Sequence, residues 1–174
     1  MNKVKITDYL PEHQSYFEFF NRAWIEKYFW MEPVDEYVLN NPGEAIIKTG
    51  GAILMATYEG HIAGTVALKK VDDTTYEFTK MAVDENFQRK GIAEELSYAA
   101  FKKAYELGAE EIVLYSHSSL KPAIHLYEKI GFKHEELEKG NYKRADVKMK
   151  IMMADILKAT MFFMITTQVI ELCL

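Results

Sequence analysis

The chain has 174 residues, of which 49% are hydrophobic and 27% are charged, so it is long enough for one domain with its own core and is not composed like a disordered segment. A net charge of −5 and an isoelectric point near 5.6 argue against a nucleic-acid-binding protein, which usually needs a concentrated basic face. The single cysteine, Cys173, excludes an intrachain disulfide, and the five histidines show no metal-ligand spacing, so we expect no metal site.

The first part of the chain predicts one strand and two helices. Apolar and polar residues alternate from Val4 to Tyr9, which is typical of a short strand. From Glu12 to Trp30, aromatic and aliphatic residues recur at steps of three and four, which indicates a helix. Pro33 interrupts that pattern, and a second short helix is expected from about Val34 to Leu39, before a turn cluster that ends at Gly43.

The middle of the chain predicts three consecutive strands. They cover Ala52–Tyr58, Ile62–Val71 and Tyr76–Val83, and short polar turns separate them. Because the connections are so short, the three strands should pair as an antiparallel meander.

Helical and strand patterns alternate in the remainder. The predicted elements are a helix from Gly91 to Leu107, a strand from Ile112 to Tyr115, a helix from Leu120 to Ile130, a strand that begins at Phe132 and a strand from Ala145 to Ile151. The complete order predicts an α/β (α+β) fold, with a mixed, mostly antiparallel central sheet flanked by helices on both faces, in a single domain of residues 1–152.

The two ends of the chain bear on location. Residues 1–10 lack the apolar core of a signal peptide, so a cytoplasmic protein is expected. Residues 153–174 form an apolar C-terminal extension, whose longest uncharged run, Ala159 to Ile170, has 12 residues against roughly 20 for a membrane-spanning helix. No membrane span is therefore expected. Packing on the domain or a homodimer surface is favoured for this extension over a terminus without function.

The segment from Tyr76 to Leu96 carries the clearest chemical signal. A strand runs into a short polar loop that becomes a helix, and backbone N–H groups at a helix start have no internal partner. Together with the helix dipole, these groups form an anion site suited to phosphate. Gly91 and Ala93 would let a diphosphate approach the backbone, and Arg89 and Lys90 add positive charge. Taken alone, a glycine that merely eases the turn explains the pattern equally well.

Two motifs, in this order and spacing, resemble those of the GNAT superfamily of acyl-CoA-dependent N-acetyltransferases. Residues Gln88 to Ala93 match the family signature Q/R-x-x-G-x-G/A, and Ala123 to Phe132 match A-x-x-L-Y-x-K-x-G-F. The resemblance covers residues 4–151 in element order and is firm from 76 to 132. It implies that an acetyl group passes from acetyl-CoA to a primary amine, on a small molecule or a peptide. Direct attack in a ternary complex is favoured, because a covalent acyl-enzyme would need an activated nucleophile and Cys173 is far from both motifs.

The resemblance also implies where acetyl-CoA binds. In the family, one strand splays from the next, the pantetheine arm bonds in the gap like an added strand, and the helix-start amides hold the pyrophosphate. The residues that this assigns to cofactor binding are Met81, Ala82, Val83, Gln88, Arg89, Lys90, Gly91, Ile92 and Ala93. His117 stands near a position where many relatives carry an asparagine that contacts coenzyme A, and it could instead serve as a base.

Attack by an amine on a thioester needs a base, an oxyanion donor and an acid. By the two-residue period of a strand, Glu77 should share one face with Met81 and Val83. The resemblance implies Glu77 as the general base acting through ordered water, the Met81 N–H as the oxyanion donor and Tyr127 as the general acid. Each side chain also has a simpler interpretation, with Glu77 facing solvent and Tyr127 filling an apolar helix face.

The sequence leaves the acceptor open. The aromatic stretch from Tyr28 to Met31 occupies the region that shapes the acceptor pocket in the family, so antibiotics, polyamines, amino acids, peptide termini and lysine side chains all remain candidates. An active N-acetyltransferase is the first hypothesis, a catalytically inactive coenzyme A-binding sensor or interaction module is the alternative, and a membrane-associated protein that uses its tail is a weaker third.

Overall fold

The computed structural model describes residues 3–137 and 143–159. The strands in this part of the chain are β1 (Val4–Asp8), β2 (Ala52–Tyr58), β3 (His61–Lys70), β4 (Thr75–Val83), β5 (Glu111–Ser116), β6 (Lys133–Glu135) and β7 (Val147–Met152). The helices are α1 (Gln14–Tyr28), α2 (Pro33–Asn40), α3 (Ile92–Glu106) and α4 (Lys121–Lys129), with short helical turns at Pro11–His13, Gly43–Ile47 and Glu85–Phe87. The order of the main elements is the one that the sequence predicts.

The strands form one seven-stranded sheet in the order β1-β2-β3-β4-β5-β7-β6. Neighbouring strands are antiparallel except β4 and β5, which are parallel because α3 connects them as a crossover. The predicted mixed, mostly antiparallel sheet is confirmed.

Both faces of the sheet are covered, because the central strands are apolar at consecutive positions rather than at alternate ones. In β2, Leu54 packs on the face under α3 and α4, whereas Met55 packs on the face under α1 and α2. The first face is filled mainly by α3, through residues such as Leu96 and Phe101, and the second by Phe17 and Leu39. The predicted helices on both faces are therefore confirmed.

The C-terminal extension is described only over residues 153–159, which are helical. Met153 is buried in the core under α3 and α4, and Ile156 packs against that core. The remainder of the extension lies outside the described residues, including Cys173 and most of the uncharged run from Ala159 to Ile170. The expected packing or dimerisation of this part therefore stays a prediction. Among the described residues, no helix combines the length and the apolar composition that a membrane span requires.

Candidate active site

Strand β4 is irregular in its second half. Thr79 pairs with Ala67 and Ala82 pairs with Thr65, so two intervening residues of β4 lie opposite a single residue of β3. The first of the two, Lys80, has a φ of 51°, in the left-handed region that side chains other than glycine rarely adopt. This arrangement is a β-bulge, which bends a strand and changes the direction of its side chains.

The bulge overturns one prediction about β4. Met81 and Val83 pack with Phe78 on the face under α3 and α4. Glu77 is the neighbour of Phe78 in a regular part of the strand, so it lies on the opposite face, under α1 and α2. The prediction that Glu77 shares a face with Met81 and Val83 was wrong, because the extra residue of the bulge shifts the two-residue period by one.

Strands β4 and β5 separate soon after they meet. Their ladder joins only Thr75–Glu77 to Glu111–Val113, although both strands continue further. The gap opens a cleft that runs through the sheet from one helical layer to the other. Its walls are Phe78, Leu120 and Tyr127 on the α4 side, Asn21, Trp24, Ile25 and Phe29 on the α1 side, and Thr79, Lys80, Met81, Tyr115, Ser116, His117, Arg144 and Ala145 between them. The splay that the resemblance implies is present.

Tyr127 lies in the wall of this cleft on α4. Its ring packs edge-on against Phe78 and Phe132, with centroid distances of 6.0 and 6.1 Å. Burial raises the pKa of Tyr127 to about 12, because the ionised phenolate is disfavoured away from water. The hydroxyl therefore stays protonated at neutral pH and can act as a proton donor.

Glu77 is buried in β4, with only 2% of its surface exposed, so its interpretation as a solvent-facing residue is wrong. Its strand neighbours are Lys69 on β3 and Val113 on β5. None of the hydrogen bonds between described residues involves its side chain. Glu77 does not itself line the cleft, but Thr79, two residues further along the same strand, does. A proton could reach Glu77 only through water, as the sequence-based prediction assumed.

His117 lines the cleft beyond the end of β5, with its ring 5.3 Å from that of Phe29. The Ser119 N–H donates to its Nδ1 at 3.1 Å, and the Ser119 hydroxyl lies 2.8 Å from the same nitrogen, while Nε2 lies 3.7 Å from Asp146. Ser118 donates both its hydroxyl and its N–H to Asp146 at 2.6 Å, and these bonds hold the pKa of Asp146 below its ordinary value. Neither this group nor any other in the described ranges brings together three potential metal ligands.

The turn between β4 and α3 offers backbone hydrogen-bond donors to solvent. Helix α3 begins at Ile92, with Gly91 as its N-cap in the left-handed region at φ 78°. Among the described residues, nothing accepts a hydrogen bond from the N–H groups of residues 89–94, and the first amide with a partner is that of Glu95, which donates to the Gly91 carbonyl. Residues 88–91 are exposed, so the turn is open to an anion.

The side chains around this turn are also suited to binding an anion. Lys90 Nζ lies 4.9 Å from the centre of the Tyr58 ring, and Arg89 and Lys90 are both exposed. A methyl group added at Gly91 would meet no atom within 4 Å, so the constraint on this glycine is its positive φ and not crowding. Ala93 follows in the first turn of α3. The turn has the charge, the donors and the open approach that a diphosphate needs.

The other predicted cofactor residues occupy different surroundings. Met81 lines the cleft. Ala82 and Ile92 are buried, at 4% and 1% exposure, so only their backbone groups can take part in binding. Val83 and Gln88 line a second cavity, between α1 and the turn.

Sequence reasoning missed a buried ionic cluster on the α1 side of the cleft. Lys80 Nζ donates to Asp35 at 2.7 Å, and Arg144 donates to both oxygens of Asp35 at 2.6 and 3.1 Å. Glu32 lies 3.3 Å from the Arg144 guanidinium. Burial opposes ionisation of Asp35, but hydrogen bonds from Arg144 and the charge of Lys80 outweigh it and lower the pKa of the carboxyl. These four positions follow no motif spacing. The one signal in the sequence that could have pointed to them is Lys80, a lysine within the predicted strand β4.

Comparisons with known proteins agree with this geometry. The sequence model of the Acetyltransferase (GNAT) family matches residues 11–132, a range that holds α1 to α4 and the cleft residues of β4 and β5. The N-acetylaspartate synthetase of Xenopus tropicalis is 33% identical over 106 residues, which are 60% of this chain and 36% of that protein. The chain thus spans about a third of the length of this curated relative.

Solved structures share the fold. An acetyltransferase of the GNAT family from Staphylococcus aureus Mu50 superposes with a TM-score of 0.78 at 18% identity, covering 86% of this chain and 99% of that one. A putative acetyltransferase from Salmonella typhimurium, yncA, solved with its cofactor acetyl-CoA, superposes with a TM-score of 0.70 at 16% identity, covering 87% of this chain and 95% of that one. At these identities the likeness is one of fold.

Proposed function

The chain belongs to the Acetyltransferase (GNAT) family, and on that premise we propose that it transfers the acetyl group of acetyl-CoA to a primary amine by direct attack within a ternary complex. The observation that carries the proposal is that β4 joins an open anion site to the cleft. The turn of residues 89–94, whose N–H groups have no acceptor among the described residues, follows β4 in the chain, and β4 itself lines the cleft that holds Tyr127.

The chain's own groups would hold acetyl-CoA at two places. The N–H groups of residues 89–94 and the positive charges of Arg89 and Lys90 would bind the diphosphate. Beyond Glu77, the edge of β4 that faces β5 makes no ladder bonds, so the backbone of Met81 to Val83 can pair with the amides of the pantetheine arm as it would with another strand.

The reaction then needs a proton acceptor for the ammonium, a hydrogen-bond donor for the oxyanion and a proton donor for the leaving thiolate. Glu77, through a water molecule, takes a proton from the acceptor ammonium, and the neutral nitrogen attacks the thioester carbonyl carbon. The Met81 N–H, next to the bulge, would stabilise the oxyanion. As the carbon–sulfur bond breaks, Tyr127 gives its proton to the leaving thiolate. The nitrogen loses its second proton through water, which restores Tyr127, and the products are an N-acetyl amide and free coenzyme A.

Glu77 is favoured over His117 as the base because of hydrogen-bond geometry. Both ring nitrogens of His117 already have partners, because Nδ1 is bonded to Ser119 and Nε2 lies 3.7 Å from Asp146, so accepting a proton from the acceptor would require one of these contacts to break. Glu77 has no such commitment to any described residue. His117 is better placed to contact the substrates in the cleft.

The direct test combines binding and turnover. Acetyl-CoA binding would be measured by calorimetry, and release of free thiol would be followed with a panel of amines, with the acetylated product identified by mass spectrometry. We expect binding, together with thiol release that depends on the amine. Binding without turnover of any amine would favour the inactive sensor or interaction module, and absence of binding would contradict both.

A further inference from the structure

Among its described residues, the polar wall of the cleft carries positive charge and no negative charge. Lys80 and Arg144 both line it. Their partners Asp35 and Glu32 do not line it, and all four side chains are largely buried, with exposures of 5% and 12% for Lys80 and Arg144 and of 0% and 7% for Asp35 and Glu32. Among the described residues that line the cleft, there is no aspartate or glutamate. A molecule in the cleft therefore meets the cations first and the carboxylates only behind them.

The two cations are held in place before any ligand arrives. Arg144 makes a two-pronged contact with Asp35 and stacks on the Phe29 ring at 5.8 Å. Lys80 is held at the bulge by its bond to Asp35 and by a backbone conformation that is costly for lysine. Buried ion pairs of this kind add little net stability compared with apolar residues. A role in binding accounts for the cluster better than stability does.

We propose that Lys80 and Arg144 bind a carboxylate on the acceptor, so that the acceptor is an amino acid or another amine that carries a carboxylate close to its amino group. This inference rests on the proposed acetyl transfer and names the substrate class of that same cleft. A polyamine would bring only positive charge to a wall whose charged lining residues are cations, whereas the carboxylate of an amino acid can form charge-assisted hydrogen bonds there.

The same two charges assist the chemistry. A positive charge near an ammonium group lowers its pKa, because it disfavours the charged form. Lys80 and Arg144 would therefore help to produce the neutral amine that attacks the thioester, while the carboxylate keeps the acceptor bound. The cluster thus positions the acceptor and favours its neutral amine, whereas the proton of the ammonium goes to Glu77 through water.

The experiment compares matched pairs of amines that differ only in the carboxylate: leucine with 3-methylbutylamine, and phenylalanine with 2-phenylethylamine. Specificity is read as kcat/KM from acetyl-CoA-dependent thiol release. We expect the amino acid of at least one pair to exceed its partner by about tenfold or more, as charge-assisted hydrogen bonds allow. If the simple amines react equally well or better, this inference is overturned while acetyl transfer stands. If no amine reacts, the proposed function fails and the inference with it.

Variants then assign the preference to the two cations. Lys80→Gln and Arg144→Gln should each bring the ratio within a pair close to one, mainly by raising KM for the amino acid. Because the ratio is measured in one preparation, it does not depend on the folded fraction. Arg22→Gln is the matched control, since Arg22 joins α1 to Glu36 of α2 outside the cleft, and it should keep the preference. A preference that survives in both Lys80→Gln and Arg144→Gln would overturn the assignment.

Discussion

The two halves of the cleft are built in different ways. The half proposed for acetyl-CoA comes from one continuous segment, in which β4 runs into the turn and α3, and its polar groups are mostly backbone N–H groups. The half proposed for the acceptor comes from side chains of α1, α2, the β4 bulge and the segment before β7, which are far apart in the chain. Binding in the first half therefore depends on backbone conformation, and binding in the second half depends on buried side-chain charge.

The largest effect on kcat is expected from substitution of Tyr127, which lies where the two halves meet. Tyr127→Phe removes the proposed acid but keeps the ring that packs on Phe78 and Phe132. We expect kcat to fall by about 10²- to 10⁴-fold, as loss of a general acid does, with little change in the affinity for acetyl-CoA. Stopped-flow or steady-state thiol release would measure it. Because burial raises the pKa of Tyr127 to about 12, loss of this proton should not limit the rate below about pH 10.

Tyr105→Phe is the control for that variant. Tyr105 is an exposed tyrosine on α3, outside the cleft, so the same loss of a hydroxyl should leave kcat unchanged. Full activity in Tyr127→Phe would mean that the thiolate leaves without help from this residue.

A second comparison separates the two possible bases. Glu77→Gln keeps the shape of a buried side chain and removes the proton acceptor, so we expect kcat to fall by about 10²-fold. His117→Gln should instead raise KM for one of the substrates. The reverse pattern, with kcat unchanged in Glu77→Gln and lowered by about 10²-fold in His117→Gln, would move the base to the other side of the cleft.

A smaller effect is expected at the backbone of the turn. Gly91 and Gly108 both have positive φ values, 78° and 83°, and an added methyl group would meet no neighbour within 4 Å at either position. Alanine should therefore cost similar stability at both sites, about 1 kcal/mol in unfolding experiments. Only Gly91→Ala should also weaken acetyl-CoA binding, by about tenfold, because only that methyl lies beside the proposed diphosphate site. Equal affinities in the two variants would contradict the location of the diphosphate.

The same contrast explains what the sequence could predict. The order of the elements and the position of Tyr127 followed from local periodicity and from two compact motifs, because the physical causes lie within a few residues. The shared strand face of Glu77 and Met81 was wrong, since the bulge at Lys80 depends on pairing with β3. The ionic cluster was not foreseen, because Asp35 and Arg144 meet only when α2 and the segment before β7 pack beside β4.

The last prediction concerns acid stability, and it tests whether the acceptor half is held by charge. The cations lower the pKa of Asp35 from its ordinary value of 3.8, so the folded state binds this proton less readily than the unfolded chain. Ionised Asp35 therefore contributes stability that is complete above the unfolded value and is lost as the pH falls through the lower, folded value. In urea unfolding, wild type should exceed Asp35→Asn by a constant margin above about pH 5, and the margin should shrink below about pH 4. Asp73→Asn, at an exposed carboxylate in the β3–β4 turn, should follow the wild type throughout. A margin that does not change with pH would mean that packing, and not the charge of Asp35, holds Lys80 and Arg144 at the wall of the cleft.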